Sequence, residues 1–580
     1  MGNKPPVGLH RKIKGVDFQD KRHDHEAARS ARVVPGRALV NARIFPMGPP
    51  ADPQVPGALA GGAQGSASQP PWERRAQAIL WEGDTIVTVG DDAEIRDAAA
   101  RRGIKPEDAA GRLVLPGFVD AHMHFLHQAI KHSRPDLRGA KTKRDALSRV
   151  SAWLRANPGS TAVVGEGWDE SDWPGRAQPT REELDRIGGA RPLVLRRIDG
   201  HVAVASTTAA QAVERHFRKP GAVDAATGIL LEEASLYLNE VFPAPDAELD
   251  AAVVASCRLA HSLGVTALGD YSQAPFRAAL VRAARRGTLS VHVASSIYVQ
   301  QFADAVAAGF RTGRVLPGDA GPSPWFRDGG LKVFLDGSLG AHTAALREPY
   351  AGPVGHPHPK GKLNWTDAEV ARLFADAHEN GVQIHAHAIG DAAIEQGLDA
   401  FSDLAAREDL EGAGWGSNAA RHRFEHFEIV GDDQLRRTAE LGVVASSQPN
   451  FVGAWSAKGG MYEDRLGERF RLNNRFRTMK SWNIPLAFGS DGMPFEPRVG
   501  LQAAVAHPDT AERLTPMEAV WHYTWMAAWS LHWEHEIGSL ETGKKADLVI
   551  LDAIDPESAP KTWHVRETIA GGVTRFPGPA

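Results

Sequence analysis

Eight short apolar runs recur along the middle of this chain, each separated from the next by residues of helical character. They are Phe118–His124, Val265–Asp270, Ser290–Ile297, Leu331–Leu335, Val382–His387, His422–His426, Val443–Gln448 and Pro485–Asp491. Strand-like runs alternating with helices argue for a parallel sheet covered by helices. Eight such units are the number that closes a (β/α)8 barrel of the TIM type, so the expected fold class is α/β. The spacing is regular except between the first two runs. About 140 residues intervene there, far more than one crossover helix requires, so Gly139–Pro245 is expected to form a large insertion beside the barrel mouth.

Outside the barrel, residues 116–535, the two ends of the chain share a texture of short strands and turns. Arg37–Phe45 and Ala76–Val89 read as strands, the second carrying a Glu82-Gly83-Asp84 turn, and Ile537–Leu551 and Thr568–Arg575 look alike. Residues 36–115 and 536–580 are therefore expected to pair into a small composite β-sandwich domain. Residues 46–71, rich in Pro, Gly, Ala and Ser, read as a flexible surface insertion. Residues 1–35 read as a loosely ordered arm, with few large apolar side chains to offset ordering entropy.

Composition narrows the partners. A net charge of −5 in 580 residues argues against nucleic acid or an anionic membrane. The single cysteine, Cys257, excludes an intramolecular disulfide and fits a reducing compartment. No run approaches the ~18 apolar residues of a membrane-spanning helix, and the first residues lack the apolar core of a signal peptide. The expectation is a cytoplasmic protein acting on a small molecule, with a homodimer as the open alternative to a monomer.

In a barrel of this type chemistry sits at the C-terminal ends of the strands. The first run ends in His122 and His124, which point the same way if the run is extended, because residues i and i+2 share a face. Two neutral imidazoles converging from one strand are half of a metal site. The fourth run contains Lys332, the fifth ends in His385-Ala386-His387, the sixth in Glu425-His426 and the eighth in Ser490-Asp491-Gly492.

The segments PGFVDAHMH (Pro116–His124), RIDGHVAVAS (Arg197–Ser206), LKVFLDGSLGAHTAAL (Leu331–Leu346), HAHAIGDAAIE (His385–Glu395), RHRFEH (Arg421–His426) and FGSDGMPFEP (Phe488–Pro497) resemble the amidohydrolase superfamily. The resemblance is to the amidohydrolase-3 branch, which includes N-substituted formamide deformylase. It implies a divalent-metal hydrolase of non-peptide carbon–nitrogen bonds holding one or two ions, read as Zn2+. His122 and His124 would bind one ion, and His387 and His426 would bind a second or complete a shared site. Lys332, as a carbamate formed with carbon dioxide, would bridge. The alternative is a structural lysine paired to Asp336, which fits a single-metal site better.

The resemblance also implies His387 rather than His385 as ligand, because the family pattern puts the metal histidine immediately before a short Gly-Asp turn, here Ile389-Gly390-Asp391, leaving His385 a supporting or packing role. Asp491 is expected to be both metal ligand and general base, deprotonating a water whose pKa the ion lowers and returning the proton to the departing nitrogen. His201 is expected to reach in from the insertion and stabilise the oxyanion. Trp168, Asp199 and His342 are the expected substrate contacts. His342 and Glu428 depart from the branch, which usually has arginine and glutamine there. Trp521, Trp525, Trp529 and Trp533, spaced i, i+4, are expected on one face of one helix as core or subunit packing. The rival readings are a deaminase, a cyclic-amide or lactone hydrolase, and a metal-binding protein without turnover.

Overall fold

The computed structural model describes residues 36–50, 69–132, 134–159, 161–170, 173–198, 200, 202–217, 221–231, 233–318, 321–351, 358–407 and 418–577. The N-terminal arm, most of the 46–71 segment, Asp199 and His201 lie outside the described residues.

Eight parallel strands follow one another around a barrel in sequence order. They are β1 (Phe118–Met123), β2 (Val265–Asp270), β3 (His292–Tyr298), β4 (Gly321–Phe334), β5 (Ile384–Ala388), β6 (Arg423–His426), β7 (Val444–Ser447) and β8 (Leu486–Phe488). Consecutive strands pair in parallel from β1 through β8. The eighth seam has no strand ladder. β8 meets β1 instead through Asp491 N–H on the His122 carbonyl at 2.7 Å and Ser490 N–H on Asp120 at 2.9 Å. The approach is tight because Gly489 has no side chain: a Cβ there would lie 2.4 Å from the His122 nitrogen.

Apolar residues buried on both strand faces and on the covering helices make one continuous core, as expected for a parallel sheet enclosed by helices. The helix Asp367–Glu379 starts at a Thr366/Glu369 capping box. The helix Ala274–Arg286 ends at Gly287, which takes the left-handed conformation that glycine adopts without penalty. No described helix is long and apolar enough to cross a membrane.

Strand β4 departs from the sequence reading. It runs 14 residues rather than covering only Leu331–Leu335, because its first half pairs with a hairpin arm at Val315–Gly318. That extension brings Trp325 under Arg575 of the C-terminal segment, 5.6 Å from ring to guanidinium. The chain ends form two sheets. One orders Thr85–Gly90, Ala78–Glu82, Arg37–Val40 and Glu107–Asp108; the other orders Arg43–Ile44, Leu113–Pro116, Leu548–Leu551, Val565–Ala570 and Val573–Pro577. Leu39, Ile79, Trp81, Val114, Leu548 and Ile569 pack between them. The single strand expected over Arg37–Phe45 is two, because Asn41 at φ 54° turns the chain from one sheet into the other.

The insertion after β1 builds its own five-stranded sheet from Val163–Trp168, Leu193–Arg197, Val202–Ala205, Ile229–Leu231 and Val223–Asp224. Its later part reaches the barrel mouth. Asn239 donates to Gln273, just beyond β2, at 3.0 Å, and the Tyr237 ring stands 5.9 Å from Tyr298 at the end of β3.

Candidate active site

The C-terminal ends of β1, β4, β5, β6 and β8 bring the expected ligand-type side chains to one place. One ligand atom each from His122, His124 and Asp491 lies within 4.8 Å of the others. The Asp491 carboxylate stands 3.4 Å from His124 Nε2 and 3.8 Å from His122 Nε2. The Lys332 Nζ is 3.5 Å from His122 Nε2. The His426 ring is 4.9 Å from His122 and 4.4 Å from His387, centre to centre.

Hydrogen bonds fix which nitrogen each ring offers. His122 Nδ1 meets Glu425 at 2.6 Å, His124 Nδ1 the Tyr271 carbonyl at 2.9 Å, and His426 Nδ1 the Gln448 Oε1 at 2.7 Å. All three partners are acceptors, so the proton sits on Nδ1 and the lone pair on Nε2. His387 is reversed: its Nε2 donates to the Gly337 carbonyl at 3.0 Å, leaving the lone pair on Nδ1. Burial holds His122 and His426 well below the ordinary imidazole range, which keeps them in the neutral form a metal requires.

Lys332 is 1 % exposed. Burial lowers its ammonium to about 8, against the opposing pull of Glu425 and Asp491. Asp336, the carboxylate considered as its structural partner, instead accepts the main-chain N–H groups of Ala345, Ile389 and Gly390. Asp491 sits at φ 54°, and His426 and Phe427 at 72° and 51°, left-handed conformations that non-glycine residues hold only when their surroundings impose them.

A family model described as the amidohydrolase family matches residues 106–576. The chain belongs to the amidohydrolase family. It is 27 % identical to N-substituted formamide deformylase of Arthrobacter pascens across 86 % of this chain and 95 % of that one. It is likewise 27 % identical to the Bacillus subtilis protein named amidohydrolase YtcJ, with the same shares covered. A solved metal-dependent hydrolase of Pyrococcus furiosus superposes with a TM-score of 0.70 at 28 % identity, covering 90 % of this chain and 100 % of that one. This amidohydrolase is thus an enzyme, a metal-dependent hydrolase acting on carbon–nitrogen bonds.

The donor set fits a divalent cation. Neutral imidazole lone pairs and a carboxylate, converging from separate strand ends, are borderline ligands suited to Zn2+ and its neighbours. Other expected residues are placed differently. Trp168 is 0 % exposed, gives its indole N–H to the Leu195 carbonyl at 2.9 Å and packs in the insertion core. Its ring stands 6.3 Å from that of Trp173 in the same core. His342 lies on the loop after β4, half-buried against Tyr350 at 4.9 Å. His385 is held by Tyr271 and Gln383, both at 2.8 Å, consistent with a supporting role. The tryptophan series is core as expected, but it is split: Trp521 lies on the helix Pro516–His522, Trp525 and Trp529 on the helix Trp525–Ser530, and Trp533 in the turn beyond.

Sequence reasoning gave no role to Tyr271, Arg423, Glu425 or Gln448. Tyr271 follows the last residue of β2, and Glu425 directly precedes a histidine expected to bind metal. Position at a strand end was the available signal for both. Burial raises Glu425, but Arg423 beside it overrides this and holds the carboxyl at about 2.

Proposed function

We propose that this amidohydrolase cleaves a non-peptide amide-type bond, of which a formamide is one form, in a small molecule. The observation that carries the reading is the convergence of His122, His124 and Asp491 from the two strands flanking the open barrel seam. His122, His124 and Asp491 would hold one divalent ion, taken as Zn2+, and His387 and His426 a second. Lys332 would bridge them as a carbamate: its neutral amine adds to carbon dioxide, forming an N–C bond and losing one proton. When bound, the metal lowers the pKa of water and polarises the scissile carbonyl.

The chain's own groups handle the protons. Asp491 accepts the proton of the attacking water as its oxygen bonds to the carbonyl carbon. The carbon–nitrogen bond then breaks and Asp491 returns that proton to the departing nitrogen, leaving an acid and an amine. Burial of Lys332, His122 and His426 keeps bulk water from the rear of the site. Neighbouring insertion residues around Tyr237 supply part of the wall that meets substrate. The single cysteine supports a cytoplasmic setting.

The test joins metal analysis with a substrate panel. Protein purified without chelator should carry one to two Zn2+-like ions per chain, and the loaded enzyme should hydrolyse N-formyl or N-acyl amines. Full activity in metal-free protein would overturn the mechanism. Turnover confined to cyclic amides, lactones or aromatic amines would replace the substrate class.

A further inference from the structure

The supporting partners of the four imidazoles at the site differ in charge. His124 and His387 give their second nitrogen to the carbonyls of Tyr271 and Gly337, and His426 gives its own to the amide of Gln448. All three acceptors are neutral, although His387 Nε2 also stands 3.6 Å from the Asp336 carboxyl, beyond hydrogen-bonding reach. His122 alone among these four hydrogen-bonds its second nitrogen to a carboxylate, that of Glu425 at 2.6 Å. An anionic acceptor pushes electron density through the ring and strengthens the opposite nitrogen as a metal donor.

A fully buried carboxylate survives as an anion only when paired and hydrogen-bonded. Arg423, itself fully buried, supplies the pair, with Nε 2.5 Å from Glu425 Oε1. Its other nitrogens reach the Ala121 carbonyl at 2.7 Å and Ser530 at 3.0 Å, so the guanidinium is fixed to the strand before the histidines. Tyr271 completes the arrangement. Its hydroxyl donates to Glu425 Oε1 at 2.8 Å and accepts from Arg423 at 2.7 Å, while its main-chain carbonyl receives His124 Nδ1 at 2.9 Å. One residue therefore braces both histidines of β1. Its ring also lies 4.5 Å from Lys332 Nζ.

We infer that Glu425 and Tyr271 are positioning residues that make the His122/His124 half of the centre its tight half, with His387 and His426 forming the looser one. The inference rests on the reading that His122 and His124 bind a divalent ion. It assigns unequal metal affinities to the two half-sites, and traces part of the inequality, beyond the Asp491 carboxylate that the first half also holds, to one buried charge.

The experiment is chelator competition on the Zn2+-loaded full-length enzyme, following ions retained per chain by metal analysis, with Co2+-substituted protein followed by its visible spectrum. Glu425→Gln should weaken the tighter ion by 10- to 100-fold, the range usual for loss of such a supporting carboxylate, and shift the Co2+ bands. Gln448→Met, which removes the partner of His426, should weaken the looser ion and leave the tighter one in place. Tyr271→Phe keeps the ring and the main-chain carbonyl but loses the hydroxyl, and should weaken the tighter ion severalfold.

Unchanged retention of the tighter ion in Glu425→Gln, or equal losses in Glu425→Gln and Gln448→Met, would overturn the inference. Should Glu425→Gln not fold, Tyr271→Phe decides, and unchanged retention in it overturns the inference. His122→Ala separates the two levels. If it keeps all its Zn2+, the metal reading itself has failed; if it loses Zn2+ while Glu425→Gln does not, only the inference has.

Discussion

Asp491 occupies a backbone conformation that costs a non-glycine residue of order 1–3 kcal/mol. Its φ of 54° is held by the 2.7 Å hydrogen bond from its own N–H to the His122 carbonyl. Ser490 reinforces this through its hydroxyl, 2.5 Å from Asp120. The strain aims the carboxylate back over β1. Asp491→Asn preserves that shape and removes the base, so kcat should fall by ~10^2–10^4-fold while the ion content stays near that of the parent. An unchanged rate would remove Asp491 as base. Lys332 gives a second prediction. Lys332→Ala should lower the metal content and recover part of the activity with added short-chain carboxylates; unaffected stoichiometry would mean it is no ligand.

The pH dependence of Lys332 has a definite sign. Burial lowers the folded-state value to about 8 from the ordinary 10.5. Below about 8 the amine is charged in both folded and unfolded chains, and the folded state carries the full burial penalty. That penalty is relieved as pH rises from about 8 towards 10.5, where only the unfolded chain still holds the proton. The neutral amine that carbon dioxide requires becomes the major form over the same rise. At a fixed concentration of dissolved carbon dioxide, activation of metal-free protein should therefore be faster at pH 9 than at pH 7, measured as the rate of activity recovery after Zn2+ addition. No difference between the two would argue against a free amine as the reacting form.

Among the elements, β8 is only three residues long, and the turn after it closes the barrel. Any side chain at Gly489 meets main-chain atoms of β1, so Gly489→Ala should lower the melting temperature and loosen Asp491 together. Retained stability with full activity would show that the seam can relax. Trp168→Ala should cost ~3–5 kcal/mol, the usual range for truncating a large buried aromatic side chain, because the ring fills the insertion core. The cost should appear as early proteolysis of residues 139–245 with the barrel still folded. Simultaneous loss of both would mean the insertion and barrel unfold as one unit.

The barrel strands were legible in sequence because a strand covered on both faces must be apolar almost throughout. Their ends were not, since partners set them: β4 lengthens because both Val315–Gly318 and β3 pair with its first half. The metal-type residues were legible by their place at strand ends. Glu425 and Tyr271 acquire their roles through contacts made across 303 and 147 positions of sequence with His122 and His124, which no local pattern encodes. The tryptophan repeat shows the same limit. Its spacing marks core residues correctly, yet the helix breaks at Tyr523 and Thr524. There the Tyr523 carbonyl accepts Val119 of β1 at 2.7 Å and its hydroxyl donates to Gly489 at 3.0 Å. Tertiary hydrogen bonds outweighed helical propensity at that point.

For the molecule as a whole, the two sheets made by the chain ends stand or fall together. Leu113–Pro116 leads directly into β1 and lies antiparallel to Leu548–Leu551. His292 of β3 meets Asp547 at 2.9 Å with both side chains buried. Deleting residues 548–580 would strip the centre of one sheet and expose Leu39, Ile44, Trp81 and Val114. The truncated chain should be insoluble or bind a hydrophobic dye strongly; a soluble, metal-loaded and active product would show the barrel to be independent.

The pairing of Leu113 with Leu551 joins residues more than 430 positions apart. At the usual ~5–20 residues per second of synthesis, Leu113–Pro116 leaves the ribosome ~20–90 s before its partner Leu548–Leu551 exists. Throughout that interval Leu113, Val114 and Leu115 form an open, apolar strand edge immediately ahead of the segment that carries His122 and His124. The enzyme therefore cannot complete its active site by folding from its N-terminus onward. A newborn chain must be shielded from aggregation until Leu548–Leu551 emerges, and the pairing of that strand is the event that fixes the segment entering β1 in place.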